Sequence, residues 1–381
     1  MNEVEVKAQI LSYGIKYTPV ALQQFNSNPS FLSKRRVYGN PDDVDFFSCD
    51  VPQEIVLQPM GLVVNAVIRD TSPWTVDYTD GRFVLRNDEY EWVDVTFTPK
   101  PKFYGLKLSN GNNVESILTY LFGHTIGIFK NTSCLFAFQK MACKFCSIGC
   151  NGGRPKDVVA ALDNDLVLEA LNTAFDNCDV DIDSIFISGG NHNQDFDTNF
   201  LNYLRLATSI EQLVHSKGLN VKITLNVYPP QDIKLIEQLR NHDLNVMVST
   251  EVYDGERFRL ICPGKSKLLS QSYLDAVLKK YVEVLGQNHV FNFLIQGLES
   301  TSSLQKGLDY YSSIGVCSIV HVLRIEPGTE IESCDVYVPT PEQIVDMARY
   351  MQNICKVKGF DSSKAYGGRS SLDKEYSLLL I

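Results

Sequence analysis

Ile126-Gly127-Ile128-Phe129 runs into Asn131-Thr132-Ser133-Cys134, and after eight further residues stands Cys143-Lys144-Phe145-Cys146. A short, almost continuous apolar run bounded by polar residues reads as a strand buried on both faces, the kind that fills parallel sheets. Three thiols therefore share the loop at that strand's carboxyl end. Strand patterns recur outward from it: the first covers 124–132, and others follow at 183–190, 220–228, 245–252, 289–297 and 317–325. Helical patterns fall over 158–177, 199–216, 231–241, 269–285, 302–313 and 341–357, the last opening on a Thr340 cap with Pro341 in the first turn. Strict alternation of this kind predicts an α/β fold, a partial (β/α)6 TIM-type barrel.

Upstream the pattern differs. Between Glu54 and Leu108 short β-type segments such as Leu62-Val63-Val64 and Trp92-Val93-Asp94-Val95 are separated by turn signals like Asp80-Gly81. The reading divides the chain into an N-terminal β-rich domain of unknown role (1–113), the barrel (114–360) and a C-terminal tail (361–381). The tail ends in Leu378-Leu379-Leu380-Ile381 and is expected to pack on the body.

Charge and composition narrow the function classes. With 35 Lys+Arg against 45 Asp+Glu the net charge is -10, and the basic stretches are short, so nucleic acid is not an expected partner. No apolar run approaches the roughly 18 residues that span a bilayer. The start, Met1-Asn2-Glu3-Val4-Glu5, lacks the basic and apolar regions of a signal peptide, which predicts a cytoplasmic protein and no membrane partner. Ten cysteines in 381 residues are too dilute for a disulfide scaffold, so their clustering carries the information.

Cys134, Cys143 and Cys146 are soft ligands within thirteen residues of one another. Thiolates suit iron-sulfur clusters and zinc and disfavour magnesium. Three thiolates on a [4Fe-4S] cluster, which normally takes four, leave one iron open to an outside chelator. A triad of Cys143, Cys146 and Cys150 is an alternative, as is a zinc site completed by Cys150 or His124. The other cysteines, Cys49, Cys178, Cys262, Cys317, Cys334 and Cys355, are scattered, and no second cluster is expected.

The pattern resembles the radical S-adenosylmethionine (SAM) superfamily, in its biotin synthase-like branch. In that superfamily three cysteines on the loop after the first barrel strand hold the cluster, with an aromatic directly before the last, the position of Phe145. The spacing departs from the usual: eight residues, not three, separate Cys134 from Cys143. Gly189-Gly190-Asn191 ends the second strand where the superfamily grips the methionine amino group, with Asn191 replacing an acid. By the same resemblance Asn226 on the third strand contacts SAM, and Glu251 ending the fourth is similar to a ribose-binding carboxylate. Lys265 would pair with the methionine carboxylate. Gly297 and Glu299 after the fifth strand are similar to an element lying against adenine, and Pro327-Gly328-Thr329 resembles a barrel-closing segment.

The resemblance implies a [4Fe-4S] cluster and SAM as cofactors, reductive cleavage of SAM to a 5′-deoxyadenosyl radical, and hydrogen abstraction from a small-molecule substrate. The net reaction would be rearrangement, cleavage or sulfur insertion. An electron donor such as flavodoxin or ferredoxin is the implied partner. Peptide modification is one alternative, and a zinc-stabilised (β/α) binding protein or hydrolase another. His192, Asn193, Tyr228, His321 and Arg324 stand near strand ends as substrate-side candidates, none of them assigned a catalytic role.

Overall fold

The computed structural model describes residues 2–38, 47–88, 93–131, 134–146, 161–191, 195–326, 329–365 and 367–379. Six parallel strands form its main sheet: β1 (Thr125–Asn131), β2 (Ser184–Gly189), β3 (Lys222–Leu225), β4 (Leu244–Glu251), β5 (Val290–Gln296) and β6 (Cys317–Val322). They lie side by side in sequence order, with Thr119–Leu121 added antiparallel against β1. When every crossover is right-handed and the order never reverses, all connecting helices fall on one face and the sheet curls around the other. The fold is thus a partial barrel, not a flat doubly wound sheet.

Local chemistry sets the helix boundaries. The helices Asn164–Asp176, Phe196–Ser216, Gln271–Leu285, Thr301–Ser313 and Pro341–Lys358 each begin where a side chain accepts a hydrogen bond from the first turn's backbone. The caps are Asp163, Asp195, Ser270, Ser300 and Thr340. Three sequence expectations are corrected here. The helix expected over 231–241 is a 3-10 turn, Ile233–Leu239. The strand expected to reach 228 leaves the ladder after Leu225, because Pro229 and Pro230 lie just ahead with no N–H groups to offer. The helix expected from 158 starts at Asn164, behind its Asp163 cap, and its first expected residues (158–160) lie outside the described ones.

The N-terminal part is less purely β than its sequence suggests. Its six-stranded sheet runs Lys16–Tyr17, Thr75–Thr79, Arg82–Arg86, Val93–Phe97, Ile55–Leu57, Leu62–Val64 in spatial order. Asp80 and Gly81, both at positive φ, make the hairpin turn. Two helices, Glu3–Tyr13 and Pro19–Ser27, were not anticipated. The first is buried at Val4, Val6, Lys7, Ala8, Ile10 and Leu11, so nearly its whole circumference is covered and no amphipathic stripe marks it.

Contacts among the three segments seal the edge of the barrel. Ser370 O accepts the backbone N–H of Val322 at the end of β6 at 2.9 Å, and Arg369 O accepts that of Asn65 at 2.9 Å. The buried Lys7 ammonium pairs with Glu375 at 2.6 Å and also donates to Gly368 O. No helix among the described residues is long and apolar enough to cross a membrane.

Candidate cofactor and active site

A cavity opens at the carboxyl ends of β1 to β4. Its lining includes Cys134, Cys143, Phe145 and Cys146 of the cysteine loop, Gly189, Gly190 and Asn191 after β2, and Asn226, Glu251 and Lys265. Ten of the residues singled out from the sequence for the cluster or SAM therefore line one cavity. Gly297 and Glu299 lie off it, and a side chain on Gly297 would run into Tyr337 O and Leu323.

The cysteine loop is anchored from both sides. Lys144 donates its backbone N–H to Ile261 O at 2.9 Å, and Lys144 O accepts from Ile331 at 3.0 Å. Gly264 donates to Met141 O at 3.0 Å, and a Cβ on Gly264 would lie 2.5 Å from the Phe136 ring, so only glycine allows the helix Pro263–Leu268 to lie this close. These contacts place Lys265 at the cavity. A hydrogen bond with Cys262 holds the Cys143 thiol below its ordinary value, against the burial that pushes it up, and Lys265 adds to the lowering. That lowering favours the thiolate, the form that binds metal.

The three thiols line the same cavity, and no group of three His, Cys, Asp or Glu side chains placed to hold one metal ion is found among the described residues. His124 cannot complete a zinc site here. It stands at the opposite end of β1, bonded through Nδ1 to Asp183 at 2.7 Å. Cys150, His192 and Asn193 lie outside the described residues.

A line of hydrogen bonds crosses the strand ends. Asn226 Nδ2 donates to Ser188 Oγ at 3.3 Å, Ser249 Oγ donates to Asn226 Oδ1 at 3.2 Å, and Lys265 Nζ donates to Ser249 O at 3.1 Å. Lys265 also forms a buried ion pair with Glu251 Oε1. Its ammonium thus has two protein acceptors, Ser249 O and Glu251 Oε1, and a third N–H besides. Burial pulls that ammonium down, but Glu251, Cys143 and Cys262 outweigh it and hold Lys265 above its ordinary value. Burial pushes Glu251 up, with Lys265 opposing.

Glu251 sits at φ 55, beside a register shift between β4 and β5. Such backbone costs about 1–3 kcal/mol in a residue other than glycine and tends to mark functional positions. Its Oε2 is buried without a hydrogen-bond partner, as is Asn191 Nδ2. Asn199 Nδ2 donates to Asn191 Oδ1 at 3.3 Å, and Leu135 N–H donates to Asn191 O at 2.6 Å. Asn191 Oδ1 thus has one donor on it, from Asn199, while Asn191 Nδ2 is a buried donor without an acceptor.

Gly189 needs to be glycine. A Cβ there would lie 2.6 Å from Asn131 N and 2.7 Å from the Tyr203 hydroxyl. Asn131 Nδ2 in turn donates to Gly190 O at 3.1 Å and to the Tyr203 oxygen at 3.2 Å, locking β1 to the β2 turn. Gly189→Ala is expected to cost about 1–3 kcal/mol through overpacking; urea unfolding measures it, and an unchanged midpoint would contradict the close approach. Ser188, Ser249, Asn199, Asn131 and Tyr203 were not singled out from sequence. Strand alternation could have found the two serines.

No family model matches the chain. Over 146 residues it is 28% identical to bacteriochlorophyllide c C-7(1)-hydroxylase from Chlorobaculum limnaeum, a match spanning 36% of this chain and 36% of that protein. The similarity thus covers about a third of the curated relative. Among solved structures, a radical SAM methyltransferase from Sphaerobacter thermophilus aligns with a TM-score of 0.43 at 15% identity, covering 76% of this chain and 75% of that one. The FeFe-hydrogenase maturase HydG from Carboxydothermus hydrogenoformans aligns at 0.43 and 16%, covering 70% and 67%. The site itself carries the functional reading.

Proposed function

We propose that this chain is a radical SAM enzyme, with a [4Fe-4S] cluster on Cys134, Cys143 and Cys146 and SAM in the adjoining cavity. One observation carries the reading: three thiols and a glycine cradle line a single cavity at the carboxyl ends of the first four parallel strands, and two residues of the same lining, Asn191 and Glu251, carry buried polar atoms without partners, Nδ2 and Oε2. Buried polar atoms without partners cost about 1–3 kcal/mol each, and a ligand with both donors and acceptors relieves that cost. A ribose hydroxyl suits Glu251 Oε2, and a carboxylate oxygen suits Asn191 Nδ2.

When bound, the cluster and SAM supply the one-electron chemistry that cleaves the sulfonium bond and yields a hydrogen-abstracting radical. The protein's part is to hold and to exclude. Gly189 and Gly190 let backbone approach the ligand, Lys265 fixes the Glu251 carboxylate, and Phe136, Phe145 and Tyr228 wall the cavity against water. The substrate is proposed to be a small molecule, and flavodoxin or ferredoxin the class of electron donor.

The test is anaerobic purification, reconstitution with iron and sulfide, reduction with dithionite, and mass spectrometry for 5′-deoxyadenosine. A brown protein that releases 5′-deoxyadenosine from SAM is expected. A colourless protein with stoichiometric zinc and no cleavage would overturn the reading.

A further inference from the structure

In the sequence Cys262 is one of the scattered cysteines, yet the fold brings it against the cysteine loop. Two backbone bonds fix the approach: Lys144 N–H donates to Ile261 O at 2.9 Å, and Gly264 N–H donates to Met141 O at 3.0 Å. The segments 141–144 and 261–264 therefore run antiparallel. Stepping inwards from the first bond by one residue, or from the second by two, sets Cys143 opposite Cys262. Pro263 has no N–H to offer, so the second bond comes from Gly264.

Residues opposite one another across antiparallel backbones have Cα atoms about 4.5–5.5 Å apart. A disulfide spans about 4.4–6.8 Å between the same atoms. The side chains are turned towards each other as well, since the two thiols share a hydrogen bond. Their exposure differs. Cys143 is partly exposed and lines the cavity, whereas Cys262 is fully buried and does not. A reagent that enters by the cavity therefore meets Cys143 first, with Cys262 already in place to resolve whatever forms there.

We propose that Cys143 and Cys262 form a modification site, joined as an intramolecular disulfide when a small-molecule disulfide such as oxidised glutathione reaches the cluster-free chain. The Cys143 sulfur attacks the S–S bond of the oxidant, giving a mixed disulfide and releasing one small thiol. The Cys262 sulfur then attacks the Cys143 sulfur, closing the protein disulfide and releasing the second. Two electrons pass from the cysteines to the oxidant, and the two protons leave on the released thiols. That cluster and disulfide exclude each other rests on the radical SAM reading, in which Cys143 is a ligand; the disulfide itself does not.

The test is to incubate the whole cluster-free chain with oxidised glutathione, block its free thiols, digest it with trypsin without reductant, and map the products by mass spectrometry. Cleavage after Lys140, Lys144, Arg259 and Lys265 is expected to leave residues 141–144 joined to residues 260–265, a species that dithiothreitol removes and Cys262→Ala lacks. Protein loaded with iron and sulfide beforehand is expected to give the joined peptides in at least about tenfold lower yield, because a metal-bound thiolate is withheld from exchange. Absence of the joined peptides from the cluster-free wild type would overturn the proposal, and so would Cys143 joined instead to the peptide that begins at Phe145 and carries Cys146. Equal yields from loaded and cluster-free protein would overturn Cys143 as a cluster ligand and leave the disulfide standing.

Discussion

Cys134→Ala is expected to lower SAM cleavage to below about one per cent of the wild type and to reduce the iron retained after reconstitution, while Cys150→Ala keeps both. Loss of a residue that merely supports a metal ligand costs 10–100-fold in affinity or activity, so loss of a ligand costs more. Cys134 lines the cavity with Cys143 and Cys146 although eight residues intervene, because the short helix Leu135–Phe138 takes up part of the excess chain. The Leu135 N–H bond to Asn191 O then ties that helix to the β2 turn. Iron content by plasma spectrometry and 5′-deoxyadenosine yield check the expectation together. The opposite pattern, with Cys150→Ala inactive and Cys134→Ala active, would move the cluster to Cys143, Cys146 and Cys150.

The second large effect is on stability. Lys265→Met leaves Glu251 buried without its ion-pair partner, and breaking a buried pair on one side costs about 3–5 kcal/mol. Glu251→Gln combined with Lys265→Met is expected to recover most of that loss, since no uncompensated charge remains. The pH dependence follows from the direction of the Glu251 shift. Burial already raises this carboxyl and Lys265 opposes the rise, so removing Lys265 raises it further. The folded state then binds a proton that the unfolded state releases, and stability falls as pH climbs from the usual carboxylate range towards the raised value. The single variant's deficit should therefore be smaller at pH 5 than at pH 8 in urea unfolding. A deficit that does not change with pH would show that Glu251 is not the source of the cost.

The six barrel strands were legible because strands buried on both faces leave apolar runs that no solvent-exposed segment would carry. Ile126, Ile128, Ile185 and Ile187 are fully buried, which is why β1 and β2 stood out. The helix Glu3–Tyr13 was missed for a related reason: it is covered nearly all round, and its opening alternation of acids with valines imitates a strand. Most of the candidate site was legible too, since loops at strand carboxyl ends converge in any parallel barrel.

Taken alone, the sequence determined the order of the six barrel strands, the three thiols on one loop and the glycine turn at Gly189-Gly190, because these depend on neighbours in the chain and on repeated spacing. Tertiary structure alone decided which polar atoms are used and which remain open. Asn199 takes Asn191 Oδ1, Lys265 takes one oxygen of Glu251, and Gly297 falls outside the cavity. It also brought Arg369 from the C-terminal segment together with His321 and Arg324 of the last strand region, in the lining of a second cavity. The reason is physical: hydrogen-bond partners and net local charge belong to groups distant in sequence, and only packing sets which of them meet.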